Sequence, residues 1–166
     1  MRVWLLIGFV VLAGELTAQR AIVRWAYGPF ATPGDAAWIV EANAIYQACG
    51  PFGSRGPCVY VIEEELVWHS ADAFGRKGTC AFEAEGDHLI RCQGMMGSAG
   101  SCALLLEGNK VFRADGRYCN KQEGAFVIDG QAIHLAEGAF GAKGDAILMI
   151  EGDVSMIALL AILAGL

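Results

Sequence analysis

The chain has 166 residues, of which 55% are hydrophobic, 18% are charged and 22 are Gly. This composition excludes a disordered or collagen-like chain and fits one globular domain. The 12 Lys and Arg stand against 18 Asp and Glu, a net charge of -6, which argues against nucleic acid as a partner because phosphates attract basic surfaces.

The first residues have the layout of a secretory signal peptide. Arg2 precedes an uncharged apolar run over 3–14, and the small residue Ala18 stands before Gln19. The run is too short to span a membrane as a helix, which needs about 20 residues. We therefore predict a signal peptide over 1–18 and one domain over 19–166, in a secreted, extracellular or cell-surface protein. The alternative is an uncleaved first strand.

The rest of the chain is a tandem repeat of 22 residues without insertions. The units begin near residues 14, 36, 58, 80, 102, 124 and 146. Apolar residues recur at positions 3, 5 and 10 of the unit, and an acidic residue followed by Gly recurs at positions 6 and 7. A Gly-rich corner of pattern G-x-F-G-x-x-G follows, clearest over 50–56 and 138–144. Its aromatic residue at position 17 forms a fourth apolar column, which we expect to be tucked under the corner.

Each unit reads as a strand, a tight turn, a second strand and a corner, so the fold class is all-β. We favour a β-solenoid in which each unit is one coil, because strand segments such as 102–107 and 146–151 are apolar at nearly every position, as buried parallel strands are. The alternative is a meander of β-hairpins. A helical repeat is disfavoured, since each Gly within a helix costs about 1 kcal/mol relative to Ala.

Short Gly-punctuated β-repeats offer a loose resemblance. The segment GPFATPGDAAWIV (28–40) resembles the G-P-F-x-x-G-x-A-x-V stretch of bacterial WG-type repeats, and the pattern is similar to MORN-type repeats. The resemblance implies a β-repeat fold and a binding or scaffolding role, and it carries over no functional residue.

The cysteines fall at positions that suggest disulfides. Cys80 and Cys92 occupy positions 1 and 13 of one unit, which face each other if the turn lies at positions 6 and 7. The remaining cysteines flank or enter corners and are paired by proximity in the chain. The predicted pairs are Cys80–Cys92, Cys49–Cys58 and Cys102–Cys119. No C-x-x-C motif supports a metal site instead.

The acidic column at position 6 is the one feature with a possible chemical use. It comprises Glu41, Glu63, Glu85, Glu107, Asp129 and Glu151. A solenoid would stack these carboxylates about 4.8 Å apart, where they repel one another. The basic residues at position 20 could neutralise them, and Ca²⁺ is the alternative cofactor. Solvated turn residues without a ligand are the simplest interpretation, and no cofactor is required.

The last unit ends in an uncharged apolar run over 156–166. We interpret it as a β-strand, either a buried cap or an assembly edge, with an anchor signal or short membrane tail as further alternatives. The candidate assembly residues are Met156, Ile157, Leu159, Leu160, Ile162 and Leu163.

The three histidines share no column, and no nucleophile elbow, phosphate loop or H-E-x-x-H motif occurs, so we predict no catalytic residue and no enzyme. The leading functional hypothesis is a secreted, disulfide-bonded structural protein that self-associates through its C-terminal edge into a fibre, matrix or cell-surface filament. The alternative is a monomeric extracellular binding module for a glycan, a protein or Ca²⁺.

Overall fold

The computed structural model describes residues 20–94, 98–138 and 140–166. The predicted signal peptide lies outside these residues. The secondary structure of the described residues comprises twelve strands and one helix: β1 (Arg20–Tyr27), β2 (Thr32–Glu41), β3 (Ala44–Cys49), β4 (Ser54–Glu63), β5 (Leu66–Ser70), β6 (Lys77–Glu85), β7 (His88–Gln93), β8 (Ser98–Glu107), β9 (Lys110–Asp115), β10 (Asn120–Asp129), β11 (Ala132–Glu137), β12 (Ala142–Glu151) and α1 (Met156–Ala164).

The strands form a closed antiparallel barrel in which each strand pairs with its neighbours in the chain and β1 pairs with β12. The all-β prediction is confirmed, but the solenoid is wrong, and the hairpin alternative describes the strand pairing. Each unit reverses the chain twice, once at the acidic turn and once at the corner. Two reversals in 22 residues give antiparallel neighbours, whereas a solenoid needs successive coils that run in the same direction.

One end of the barrel carries the tight turns. Two-residue connections join β2 to β3, β4 to β5, β6 to β7, β8 to β9 and β10 to β11. Their first residue has a positive φ, as at Gly108 (62°) and Gly130 (61°), although Ala42 (51°) and Glu64 (56°) take the same conformation without being Gly. A left-handed residue at this point matches the twist of a short hairpin, which explains the acidic-Gly pattern. We call this the turn end.

The other end of the barrel carries the corners, at the tips of six longer hairpins. All six contain register shifts, whereas the five hairpins of the turn end have none. Bulges bend a strand sharply, and the described tips fold outward onto the outer face of the preceding hairpin. The Gly28 carbonyl thus accepts a 3.0 Å hydrogen bond from the Ala146 amide, and the Gly116 carbonyl one of 3.0 Å from the Cys102 amide.

The folded tips cover part of the outer face of the strands, and this explains the continuous apolar runs that suggested a solenoid. Residues at position 1 face outward beneath a folded tip, so that Cys58, Cys102 and Ala146 are at most 8% exposed. Small outer clusters form there, and one joins Ala26, Ala31 and Ala146. Both faces of these strand segments are therefore buried, as in a parallel sheet.

The barrel interior is filled by α1. One core cluster joins the inward residues of all twelve strands with six consecutive helix residues, 158–163, each at most 4% exposed. Eight strands enclose a lumen that side chains alone can fill, and twelve enclose a wider one. A helix about 10 Å across occupies that space. Because it is surrounded, the helix is apolar on every side.

The C-terminal residues are therefore corrected from a strand to a helix. Ser155 caps α1 by accepting a hydrogen bond from the Ala158 amide, and 158–163 lie inside the barrel. Of the six candidate assembly residues, Leu159, Leu160, Ile162 and Leu163 are buried there and offer no edge to a neighbouring molecule. Within the described ranges, no helix is both long and apolar enough to cross a membrane.

Candidate functional site at the barrel mouth

The barrel opens at the tip end, where position 3 of one strand pairs with position 12 of the next. Trp38 lies opposite Gln47, Tyr60 opposite His69, and Phe82 opposite Arg91. Rings meet in this layer, because the Tyr60 and His69 rings are 5.4 Å apart. The C-terminal end of α1 reaches the same level, since a Cβ at Gly165 would lie 3.6 Å from the Tyr60 hydroxyl. We call this layer the mouth.

One side of the mouth holds two tryptophans over an open cleft. The rings of Trp25 and Trp38 are 5.3 Å apart between centroids and inclined by 57°, and Trp25 is 37% exposed. The cleft measures about 380 Å³. Its remaining lining residues are Ala36, Ala37, Gln47, Ala48 and Val59. Small side chains thus leave room beside two indoles and one amide, with no charged group in the lining.

The opposite side of the mouth is charged. A second depression of about 410 Å³ is lined by Arg91, Ala103, Arg113, Ala114, Asp115, Gln122 and Glu123. Arg91 donates a 2.9 Å hydrogen bond to the Cys102 carbonyl. With two guanidiniums and two carboxylates in its lining, this depression has no net charge. Burial raises the pKa of Tyr60, which lies between the two sides in the order of strands.

The acidic column lies on the outer wall of the barrel, away from the mouth. Its members sit on every second strand, which separates them by about 10 Å instead of 4.8 Å. Basic partners from position 20 of the same unit join four of them: Arg55–Glu41 (3.1 Å), Lys77–Glu63, Lys121–Glu107 (2.5 Å) and Lys143–Asp129 (2.6 Å). The Lys143 ammonium lowers the pKa of Asp129 through its hydrogen bond and its charge.

The two other acidic residues have no base at position 20, where Ala99 and Gly165 stand. Glu151 pairs instead with Arg24 at 2.8 Å, and no ion pair is formed by Glu85 among the described residues. Within those residues, no group of three or more His, Cys, Asp or Glu is placed to hold a metal ion. Four of the six members of the column therefore form ion pairs that tie the base of a bent tip to the tight turn of the same unit.

Two of the three predicted disulfides are present. Cys80 is bonded to Cys92 and Cys102 to Cys119, as is typical of an oxidising compartment. The predicted third pair is wrong, because both Cys49 and Cys58 are free thiols. Cys58 is at position 1, which faces outward as position 13 does. Cys49 is at position 14, and because side chains alternate along a strand it faces the opposite way.

The aromatic residues of the corners lie outside the barrel wall instead of beneath the tips. Each is 88–92% exposed, and together they form what we call the collar: Phe30, Phe52, Phe74, Tyr118 and Phe140. The residue that tucks under is the next one, at position 18. Ala31 and Gly141 are buried there with φ of 52° and 63°. A left-handed, close-packed position favours a small residue, and the preceding ring therefore points away.

No protein-family model, curated protein or solved structure significantly resembles this chain. Its class follows from the fold alone: an antiparallel β-barrel of hairpin repeats with a helix in its lumen. Sequence reasoning missed the Trp25–Trp38 cleft, and it identified the aromatic column of the collar but expected it to be buried. A signal for the cleft was present, since Trp25 lies two residues beyond Val23, the residue of β1 that pairs with Trp38.

Proposed function

We propose that the protein is an extracellular binding module that takes a neutral carbohydrate in the Trp25–Trp38 cleft and does not transform it. The observation that carries this proposal is the inclined indole pair, partly exposed beside a cleft that small residues keep open. The two disulfides support the extracellular setting, since such bonds persist in oxidising compartments.

A sugar ring suits this lining chemically. The C–H face of the ring buries apolar area against an indole, and burial contributes about 25 cal/mol per Å². The Gln47 amide offers both a donor and an acceptor to hydroxyl groups at the edge of the ring. Because no charged residue lines the cleft, a neutral ligand leaves no buried charge without a partner.

Binding without catalysis follows from the same lining. Hydrolysis of a glycosidic bond requires a group that transfers protons, ordinarily one of a pair of carboxylates. The cleft lining consists of Trp, Ala, Gln and Val side chains, none of which titrates near neutral pH. Self-assembly through residues 156–163 is not retained in this proposal, because most of that segment is buried inside the barrel.

The test is a titration of the purified protein with neutral oligosaccharides of glucose, N-acetylglucosamine and mannose, followed by tryptophan fluorescence and calorimetry. At least one sugar should bind, and Trp25→Ala should weaken that binding by about tenfold or more, the equivalent of 1.4 kcal/mol. Gln47→Leu should weaken it by a smaller factor. The affinity should be the same in about 0.05 M and 0.5 M salt, because neither the cleft lining nor the sugar is charged.

The matched control is Trp68→Phe, since Trp68 lies in an outer cluster with Ala44, Cys58 and Val61 and does not line the cleft. It should keep the parental affinity. Trp38 is unsuitable for this test because it packs against the core. The proposal fails if no oligosaccharide binds, or if Trp25→Ala binds as tightly as the parent.

A further inference from the structure

The collar has no role in the stability of the fold. A Phe side chain contributes to stability when it is removed from water, and all five collar rings are at least 88% exposed. The tips are held instead by the small residues at position 18, by backbone hydrogen bonds and by the Cys102–Cys119 disulfide. An exposed aromatic residue repeated at one position in five described units marks a candidate interaction surface.

The tip apices differ in charge: those around Phe30, Phe52 and Phe140 carry none, whereas Asp72 and Arg76 flank Phe74, and Arg117 precedes Tyr118. The tetrads 28–31 and 50–53 read Gly-Pro-Phe-Ala and Gly-Pro-Phe-Gly, without charge. A hydrogen bond closes each tip, from the Ala31 amide to the Gly28 carbonyl (3.3 Å) and from the Gly53 amide to the Gly50 carbonyl (3.2 Å). Proline has no N–H to satisfy. Fewer unpaired polar groups lower the cost of entering an apolar medium.

Charges stand at the base of four of the five described tips, three residues beyond the ring. Arg55, Lys77, Lys121 and Lys143 hold this place, and each is paired with a carboxylate on the barrel wall. An apolar apex followed by a charged base is the order in which groups sit at a membrane interface, where rings lie below the headgroups and charges remain among them.

The rings are also separate from one another. Each stands on its own loop, and consecutive tips are two strands apart, about 10 Å at the barrel wall. A protein interface is built instead on a contiguous, well-packed cluster of anchor residues. A fluid lipid surface accepts separate insertions without matching pockets, and several weak insertions add up by avidity.

From these observations we propose that the collar is a contact surface for a lipid membrane, into whose interfacial layer the exposed rings insert. Because the four cations at the tip bases are paired with carboxylates and the chain carries a net charge of -6, zwitterionic lipid is the favoured surface. Anionic lipid repels the protein as a whole.

The experiment is flotation of the full chain with phosphatidylcholine vesicles, with and without phosphatidylserine. The parent should bind the zwitterionic vesicles, and it should bind more weakly as phosphatidylserine is added. A variant with all five collar residues changed to Ser should lose vesicle binding by about tenfold or more, with single changes giving smaller losses. Its melting temperature should stay within a few degrees of the parent, since exposed side chains are replaced.

The matched control is Met156→Ser, because Met156 is 46% exposed at the turn end, away from the collar. It should bind vesicles as the parent does. The proposal is overturned if the parent does not bind, if the fivefold variant binds undiminished, or if phosphatidylserine strengthens binding. It is also overturned if the collar changes abolish only self-association, which would make the collar an interface between copies of the chain. Carbohydrate binding by the fivefold variant, measured in parallel, keeps the two proposals separable.

Discussion

At the scale of single residues, neighbouring positions of a corner differ sharply in their exposure to solvent. In the corners, Phe30 is 92% exposed and Ala31 is 8% exposed. The sequence pattern Phe-Gly or Phe-Ala indicates which residue has a positive φ. The Phe was nevertheless expected to be the buried residue, because its side chain is larger and apolar. The tip can approach the preceding hairpin only through a small residue, because a left-handed backbone and a close wall leave no room for a ring.

The two free thiols should react at different rates. Cys49 is exposed, whereas burial raises the pKa of the Cys58 thiol, so that less reactive thiolate is present at a given pH. With a chromogenic thiol reagent near neutral pH, we expect one fast and one slow thiol in the native protein. Raising the pH should speed Cys58 most, because its ionisation occurs at higher pH than usual.

Single substitutions assign these phases. Cys49→Ser should remove the fast phase, and Cys58→Ser should remove the slow one. Equal rates for the two thiols in the native protein would contradict the assignment, and so would the absence of both thiols, which would mean that Cys49 and Cys58 are bonded.

At the scale of elements, the tight turns offer a direct comparison between units. Ala42 adopts a φ of 51° where Gly108 adopts 62° at the equivalent position. A Cβ at Gly108 would have no heavy atom within 4 Å, so the difference between the residues there is conformational. A left-handed conformation costs a residue with a Cβ about 1–2 kcal/mol, and the greater freedom of Gly in the unfolded chain offsets part of that.

We therefore expect opposite effects from reciprocal changes. Ala42→Gly should raise the free energy of unfolding by about 0.5–1 kcal/mol, and Gly108→Ala should lower it by a similar amount. Urea denaturation followed by circular dichroism measures both. Changes of the same sign in the two variants would show that the turn conformation is not what distinguishes them.

At the scale of the whole molecule, the helix and the barrel depend on each other. Closing twelve strands produces a lumen wider than their own side chains fill, and the nine residues of α1 occupy it. A helix this short is marginal in isolation, and its uniformly apolar surface is stabilised only by the surrounding barrel.

Shortening a side chain inside the lumen, or removing the helix, should therefore lower the stability of the protein substantially. Leu160 is 4% exposed, and its replacement by Ala should lower the free energy of unfolding by about 2–5 kcal/mol. Deletion of 156–166 should abolish cooperative unfolding, measured by differential scanning calorimetry. Met156→Ser, at the exposed start of the helix, should change stability by less than about 0.5 kcal/mol. A deletion variant that still melts cooperatively would refute a structural role for the helix.

Much of the local structure could be read from the chain without coordinates. The period of 22 residues, the alternation of strands and reversals, the position of the left-handed turns and two disulfide pairs all follow from spacing. These features depend on contacts within one unit, where a two-residue turn or a facing pair leaves few alternatives. The pairing of acidic and basic columns is local in the same sense, since each pair lies 14 residues apart.

Features that depend on contacts between units required the tertiary structure. The apolar C-terminal run is a helix because a closed lumen surrounds it, whereas its composition fits a buried strand or a helix equally well. The collar is exposed because each bent tip rests on a neighbouring hairpin. The Trp25–Trp38 cleft exists only where β1 and β2 bend at the mouth. The amino-acid sequence by itself determined the repeating unit, and the tertiary structure decided how six bent hairpins close around a helix and which side chains they leave exposed.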